Sequence, residues 1–308
     1  MKHLPFDITP VSRIKSYSNE LGCNILCKRD DLFMEACGGN KARMLQYILY
    51  ELNKTQYDVV VTAGPKSSNF NRACALMCAK MGIPLHLIVY SSDETNDGKS
   101  LNYKMCSLSN VIITLSPKNK VSDTIKNVIS NYKDKRVLSI YGGGRSIEGV
   151  YAYYDAIEEL YNQLQDIDHL FVACGTGTTL TGICAGMQKW FPNAIVHGIS
   201  ISRTCDDEMK ILEEDMFWLN DYLGTSYNFS NLHFTDEYLS GGYGVFNEKI
   251  RLTINDVISR EGLILDPCYS GKAWNGMMKI ITCNKSDYQN KNILYWHTGG
   301  LFNLLSLI

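Results

Sequence analysis

Two rhythms of apolar positions alternate along this chain. Short β-branched or aliphatic runs fall at residues 58–62, 85–89, 111–114, 136–140, 170–173, 194–200, 263–265 and 293–296. Runs of that length and continuity read as buried strands of a parallel sheet. Between them lie stretches whose apolar residues recur every three to four positions, at 41–53, 72–81, 121–132, 147–165, 178–190, 247–261 and 271–282. These read as amphipathic helices. A further strand is expected around residues 26–32, leaving into the charged sequence Lys28-Arg29-Asp30-Asp31, whose Arg29, Asp30 and Asp31 suit a buried ion-pair cluster. Segment 206–231, acidic and then rich in Tyr and Asn, carries no clear periodicity. Strand and helix alternating at this spacing predict βαβ units, hence an α/β fold with open, mostly parallel sheets covered on both faces by helices.

The loops change the picture more than the elements do. In open α/β sheets, ligands sit beyond the carboxyl ends of the strands. Five polar or glycine-rich loops follow apolar runs: 64–71, 142–146, 175–179, 266–271 and 297–300. Lys41 follows Gly38-Gly39-Asn40 and opens a helix, so its root is fixed and its amine can be shielded from water. Shielding lowers an amine's pKa, and a neutral amine is what carbonyl chemistry requires. The loop Gly175-Thr176-Gly177-Thr178-Thr179 joins a strand to a helix, where amides, hydroxyls and the helix's positive end make a site for a phosphate dianion. It lacks the Lys-Ser/Thr ending of a Walker loop, and its next glycine, Gly182, is misplaced for a dinucleotide fingerprint. A phosphate cup beside a loop-borne lysine is what pyridoxal phosphate needs, together with a partner for its ring nitrogen.

Composition narrows the setting. The 308 residues are 45% hydrophobic and 20% charged, which suits a globular protein of one large or two smaller domains. A net charge of -2 gives no footprint for nucleic acid, and no apolar run approaches a membrane span. The first ten residues lack the apolar core of a signal peptide. Eleven cysteines show no paired metal spacing: Cys23 with Cys27 and Cys74 with Cys78 have no histidine cluster beside them, so no metal site is expected. An odd cysteine count without a signal peptide predicts reduced thiols and a cytoplasmic location.

Taken in order, several motifs resemble the 1-aminocyclopropane-1-carboxylate deaminase/D-cysteine desulfhydrase family, pyridoxal-phosphate enzymes of fold type II, the tryptophan-synthase-β fold. They are Lys28-Arg29-Asp30-Asp31-Leu32, Gly38-Gly39-Asn40-Lys41, Ser68-Asn69 with Arg72, and the loop from Gly175 to Thr179. Gly241-Gly242-Tyr243-Gly244, Asp266-Pro267-Cys268-Tyr269, Gly271-Lys272 and His297-Thr298-Gly299-Gly300 complete the series. The resemblance implies two twisted, mostly parallel sheets flanked by helices, in a large cofactor domain (1–45 and 155–308) and a small substrate-side domain (46–154). It implies that Lys41 forms the Schiff base with pyridoxal 5'-phosphate and moves the Cα proton. Asn69 would meet the cofactor's 3′ oxygen, Ser68 the substrate carboxylate, and Gly175, Thr176, Gly177, Thr178 and Thr179 the phosphate. Tyr243 and Tyr269 match the family's two active-site tyrosines, and a homodimer acting on a small amino acid is implied.

Ser270 and Thr298 carry the finer expectation. Ring-opening deaminases of the family have Glu and Leu at these positions, whereas desulfhydrase-like members have Ser or Thr and Thr. A carboxylate facing the ring nitrogen keeps it protonated, while a hydroxyl leaves it largely neutral, a weaker electron sink suited to elimination. The implied activity is a lyase that β-eliminates from a small amino acid, D-cysteine first, giving pyruvate, ammonia and hydrogen sulfide. Alternatives are β-replacement in a biosynthetic pathway, 1-aminocyclopropane-1-carboxylate deamination, and, last, non-catalytic cofactor binding. The chain departs from the family at Ser67 and Phe70, where Gln and His are usual, at Arg145 in place of serine, and at Thr178 in place of glycine. Lys66 and Arg145, if turned inward, would favour a substrate with a second anionic group.

Overall fold

A computed structural model describes residues 1–55, 57–90, 100–242 and 244–307. The strands are β1 (Val11–Arg13), β2 (Asn24–Arg29), β3 (Val59–Pro65), β4 (Leu85–Tyr90), β5 (Ile112–Leu115), β6 (Val137–Ile140), β7 (His169–Cys174), β8 (Ile195–Ser200), β9 (Leu232–Thr235) and β10 (Asn292–His297). The helices are α1 (Lys15–Leu21), α2 (Asn40–Thr55), α3 (Asn69–Met81), α4 (Leu101–Leu108), α5 (Val121–Ser130), α6 (Ile147–Tyr161) and α7 (Thr178–Trp190). They continue with α8 (Cys205–Leu223), α9 (Glu248–Glu261), α10 (Ser270–Cys283), α11 (Lys285–Tyr288) and α12 (Leu301–Leu305).

Among the described residues the strands form two sheets. One has the order β1-β2-β10-β7-β8-β9 and the other β5-β4-β3-β6. The four-stranded sheet is wholly parallel, and in the six-stranded one only β1 runs antiparallel. The α/β expectation with two mostly parallel sheets is therefore met. The central strands β7 and β10 bury nearly every side chain, which is why they read as continuous apolar runs. Helices α2, α3, α6 and α7 pack into one core with Met44, Phe70, Tyr153, Leu170, Leu180 and Trp296. A second core lies on the other face of the larger sheet, around Trp274, Tyr295, Ile199 and Ile250.

Three expectations about elements change. Residues 263–265 belong to no strand: Leu263 and Leu265 are buried, Ile264 is half-exposed, and the Ile264 carbonyl pairs with the His297 ring 2.8 Å away instead of with a ladder. The helix expected to reach residue 165 ends at Tyr161. Segment 206–231 contains α8, whose start is capped by Thr204 accepting from the Asp207 amide, with three acidic residues in the first turn.

Candidate functional site

The site is assembled where glycines let backbones touch. Gly38 and Gly39 both have left-handed φ values, 81° and 94°. A Cβ on Gly38 would lie 2.3 Å from the Asp31 carbonyl, and one on Gly299 would lie 2.7 Å from the Gly39 Cα. This approach seats the start of α2 against the end of β10: the Gly39 amide donates to the Asp30 carbonyl at 2.8 Å and the Asn40 amide to Thr298 at 3.1 Å. Ala36 and Cys37 just upstream also adopt positive φ, 48° and 61°, a strained approach to Lys41 that the surrounding contacts hold in place. Lys41 is thereby presented at the mouths of both sheets.

A cavity of about 800 Å³ opens there. It is lined by parts of all five loops singled out in the sequence, including Gly64, Gly142, Gly175, Tyr269 and Thr298. Burial pushes the Lys41 amine down from its usual 10.5 to about 8, and its Nζ donates to the Gly143 carbonyl at 2.9 Å. Ser68 caps α3 by accepting from the Asn71 amide at 3.1 Å, which leaves its hydroxyl hydrogen free to donate. The N-terminus of α7 begins after Gly177 with no side-chain cap. The amides of Thr176, Thr178 and Thr179 meet no described protein acceptor. Asn40 donates to the Thr179 hydroxyl at 3.0 Å, so the Thr179 hydrogen is free for an anion.

Of the residues expected at the site, Lys41, Ser68, Asn69, Gly175, Thr176, Gly177, Thr179, Tyr269 and Thr298 line this cavity. Thr178 is fully buried, and its hydroxyl meets no partner among the described residues. Ser270 is also fully buried, outside the lining; its hydroxyl donates to the Asp266 carboxylate at 2.7 Å. Tyr243 lies outside the described residues. Lys66 and Arg145 are not among the lining residues: the Lys66 ammonium lies over the Tyr103 ring at 5.5 Å, and Arg145 pairs with Asp215 at 2.7 Å and Glu214 at 2.6 Å. Arg145 also stacks on Trp218, so its charge is committed to α8.

Sequence reasoning missed Cys174, Arg203 and Tyr90 on the cavity wall. Arg203 follows the carboxyl end of β8, and the rule for strand ends would have found it. Its guanidinium donates to the Gly175 carbonyl at 2.6 Å and to Glu208 at 2.8 Å, bracing the glycine loop from behind. Burial pushes the Cys174 thiol well up, so it stays protonated beside that loop. Among the described lining residues there is no carboxylate.

The family model described as pyridoxal-phosphate dependent enzyme matches residues 4–299. A Thermotoga maritima protein assigned provisionally as a 1-aminocyclopropane-1-carboxylate deaminase is 30% identical over 306 residues, covering 97% of this chain and 95% of that protein. A Yersinia pestis D-cysteine desulfhydrase is 28% identical over 307 residues, with 95% and 91% covered. The crystal structure of an ACC deaminase homologue superposes with a TM-score of 0.87 at 27% identity, covering all of this chain and 96% of that one.

Proposed function

The chain belongs to the pyridoxal-phosphate-dependent enzymes, and we propose that within them it β-eliminates from a small amino acid, with D-cysteine the first candidate substrate. The residues present fit the cofactor. An uncapped helix N-terminus with free amides suits its phosphate, and an amine held near pKa 8 suits its aldehyde. When bound, pyridoxal phosphate accepts the electron pair left when the Cα–H bond breaks.

The chain's own residues divide the remaining work. The amides of Thr176, Thr178 and Thr179 and the Thr179 hydroxyl hold the phosphate. Ser68, with its hydrogen free, receives the substrate carboxylate together with the first amides of α3. Lys41, neutral in a large fraction of molecules near pH 8, takes the Cα proton. Thiol release and hydrolysis then convert D-cysteine and water into pyruvate, ammonia and hydrogen sulfide.

The observation that carries elimination is the chemistry of the wall. With hydroxyls such as Thr298 and no carboxylate among the described lining residues, a ring nitrogen beside them would stay largely neutral, and a weaker electron sink suits departure of a β leaving group. The test is purified, cofactor-loaded protein supplied with D-cysteine, L-cysteine or 1-aminocyclopropane-1-carboxylate, scoring sulfide and α-keto acid. D-cysteine is expected to give both products. Faster ring opening of the cyclopropane than sulfide release from D-cysteine would overturn the proposal.

A further inference from the structure

Asn102 lies in the first turn of α4, far in sequence from every motif above, and none of its surface is exposed. Three oxygens converge on its amide nitrogen. Nδ2 is 2.9 Å from the Ser67 carbonyl, 3.0 Å from Asn69 Oδ1 and 2.9 Å from Asn303 Oδ1 on α12. The Ser67 backbone carbonyl fixes the amide orientation, since the flipped amide would set its oxygen against that acceptor, and the two hydrogens of Nδ2 are shared among the three oxygens. Its own Oδ1 is buried and meets no partner among the described residues.

The consequence falls on Asn69. Its Oδ1 is taken by Asn102, so its Nδ2 must sit on the opposite branch, because the reverse assignment would oppose two donors. Asn69 lines the cavity, and among the described side-chain hydrogen bonds it appears only as an acceptor, through Oδ1. Asn303, in turn, reaches toward the Asp266 carboxylate at 3.5 Å, so the chain of amides ties the start of α3 to α4, to α12 and to the loop before α10.

We infer that Asn102 is a positioning residue for the cofactor site: it holds the Asn69 carbonyl so that Asn69 keeps its N–H groups turned into the cavity, ready for an anionic oxygen. The inference rests on the reading of Asn69 as partner of the cofactor's 3′ oxygen. A donor there stabilises that oxygen as an anion; without it the oxygen keeps its proton, and the cofactor absorbs at shorter wavelength.

The experiment compares wild type, Asn69→Ala, Asn102→Leu and the double variant, each loaded with pyridoxal phosphate. The readout is the ratio of the long- to the short-wavelength absorption band at one pH, without substrate. A hydrogen bond to a charged group corresponds to roughly a tenfold change or more in that ratio. Asn69→Ala and Asn102→Leu are both expected to lower it, and the double variant to lower it no further than Asn69→Ala alone. Asn102→Ser, which cannot span the gap but keeps a small polar side chain, gives the same comparison should Asn102→Leu fold poorly. A drop in Asn69→Ala with none in a folded Asn102 variant overturns the positioning role alone. An unchanged ratio in Asn69→Ala overturns the reading of Asn69, and the inference with it.

Discussion

Lys41 sits one residue inside α2, where the helix's positive end and burial both disfavour an ammonium. With its pKa at about 8, about half of the molecules carry a neutral amine at pH 8 and roughly a tenth at pH 7. The rate at which the cofactor-free protein captures pyridoxal phosphate covalently should therefore climb about tenfold per pH unit below 7 and level off above 9. Lys41→Ala should bind the cofactor only through its phosphate, and borohydride should fix no cofactor to the chain. A Lys41→Ala protein that borohydride still labels would show that another amine does the work. This residue was legible because glycines and a helix start announce it. Asn102 was not, since a buried asparagine in an ordinary helix has no sequence signature; its role depends on three oxygens brought from residues 67, 69 and 303. Ser270 was legible as a position but not in its orientation, because its hydroxyl turns to Asp266, four residues earlier.

Helix α7 shows what can be read at the scale of elements. Its predicted bounds, 178–190, are those observed, since the preceding glycines and the dense apolar repeat mark both its start and its buried face. Its N-terminus spends no side chain on capping, and on the proposed reading the cofactor's phosphate would take that place. Thr179→Ala removes one donor from a dianion, and hydrogen bonds to charged groups contribute about 1.5–3 kcal/mol. Cofactor affinity in an equilibrium titration should fall roughly 10- to 100-fold. Asn40→Ala leaves the hydroxyl in place but unheld, so its loss should be smaller; equal affinity in Thr179→Ala and wild type would put the phosphate elsewhere. Elements without such marks were harder to read. β1 has three residues and α12 five, too few for any period to show. Helix α8 was obscured because its acidic first turn looks like surface loop, yet Thr204 three residues before Asp207 is the capping signal that would have revealed it. The apolar triplet 263–265 failed for the opposite reason. Burial made it look like a strand, but hydrogen-bonded neighbours, not burial, define one.

Across the whole molecule, the start of α2 is anchored by a buried ionic cluster that the sequence only partly announced. Asp30 and Arg29 were expected in one cluster, but the chain splits them: Arg29 pairs with Asp31 at 2.7 Å, while Asp30 pairs with Arg43 at 2.8 Å. Arg43 also reaches Glu159 on α6 at 2.8 Å, and Glu159 in turn pairs with Lys28 on β2. Tyr153 on α6 and Trp296 on β10 donate to Asp30 at 2.6 and 2.9 Å. Partners more than a hundred residues apart in sequence could not be matched from spacing. The cluster thus joins α2, α6, β2 and β10 through Arg43, two residues after Lys41 on α2. Burial alone would raise the Asp30 carboxyl, but the charge and hydrogen bonds of Arg43, with Lys28 and Tyr153, outweigh it and hold the carboxyl at about 2. A folded-state pKa below the unfolded value means stability that is present above about pH 4 and is lost as pH falls towards 2; the shift corresponds to about 2 kcal/mol. Asp30→Asn removes the charge and leaves Arg43 with Glu159 alone. Breaking a buried pair from one side costs about 3–5 kcal/mol, and the remaining partner should keep the loss near the lower figure. In thermal unfolding followed by circular dichroism, the variant should melt several degrees below wild type from pH 8 down to pH 5. The gap should then narrow below pH 4, because the unfolded wild-type chain takes up a proton at residue 30 that the folded carboxylate does not, whereas the variant has no carboxyl there to titrate. A gap that stays constant down to pH 3, or no gap at pH 7, would mean that Asp30 is not the ionised centre of this cluster.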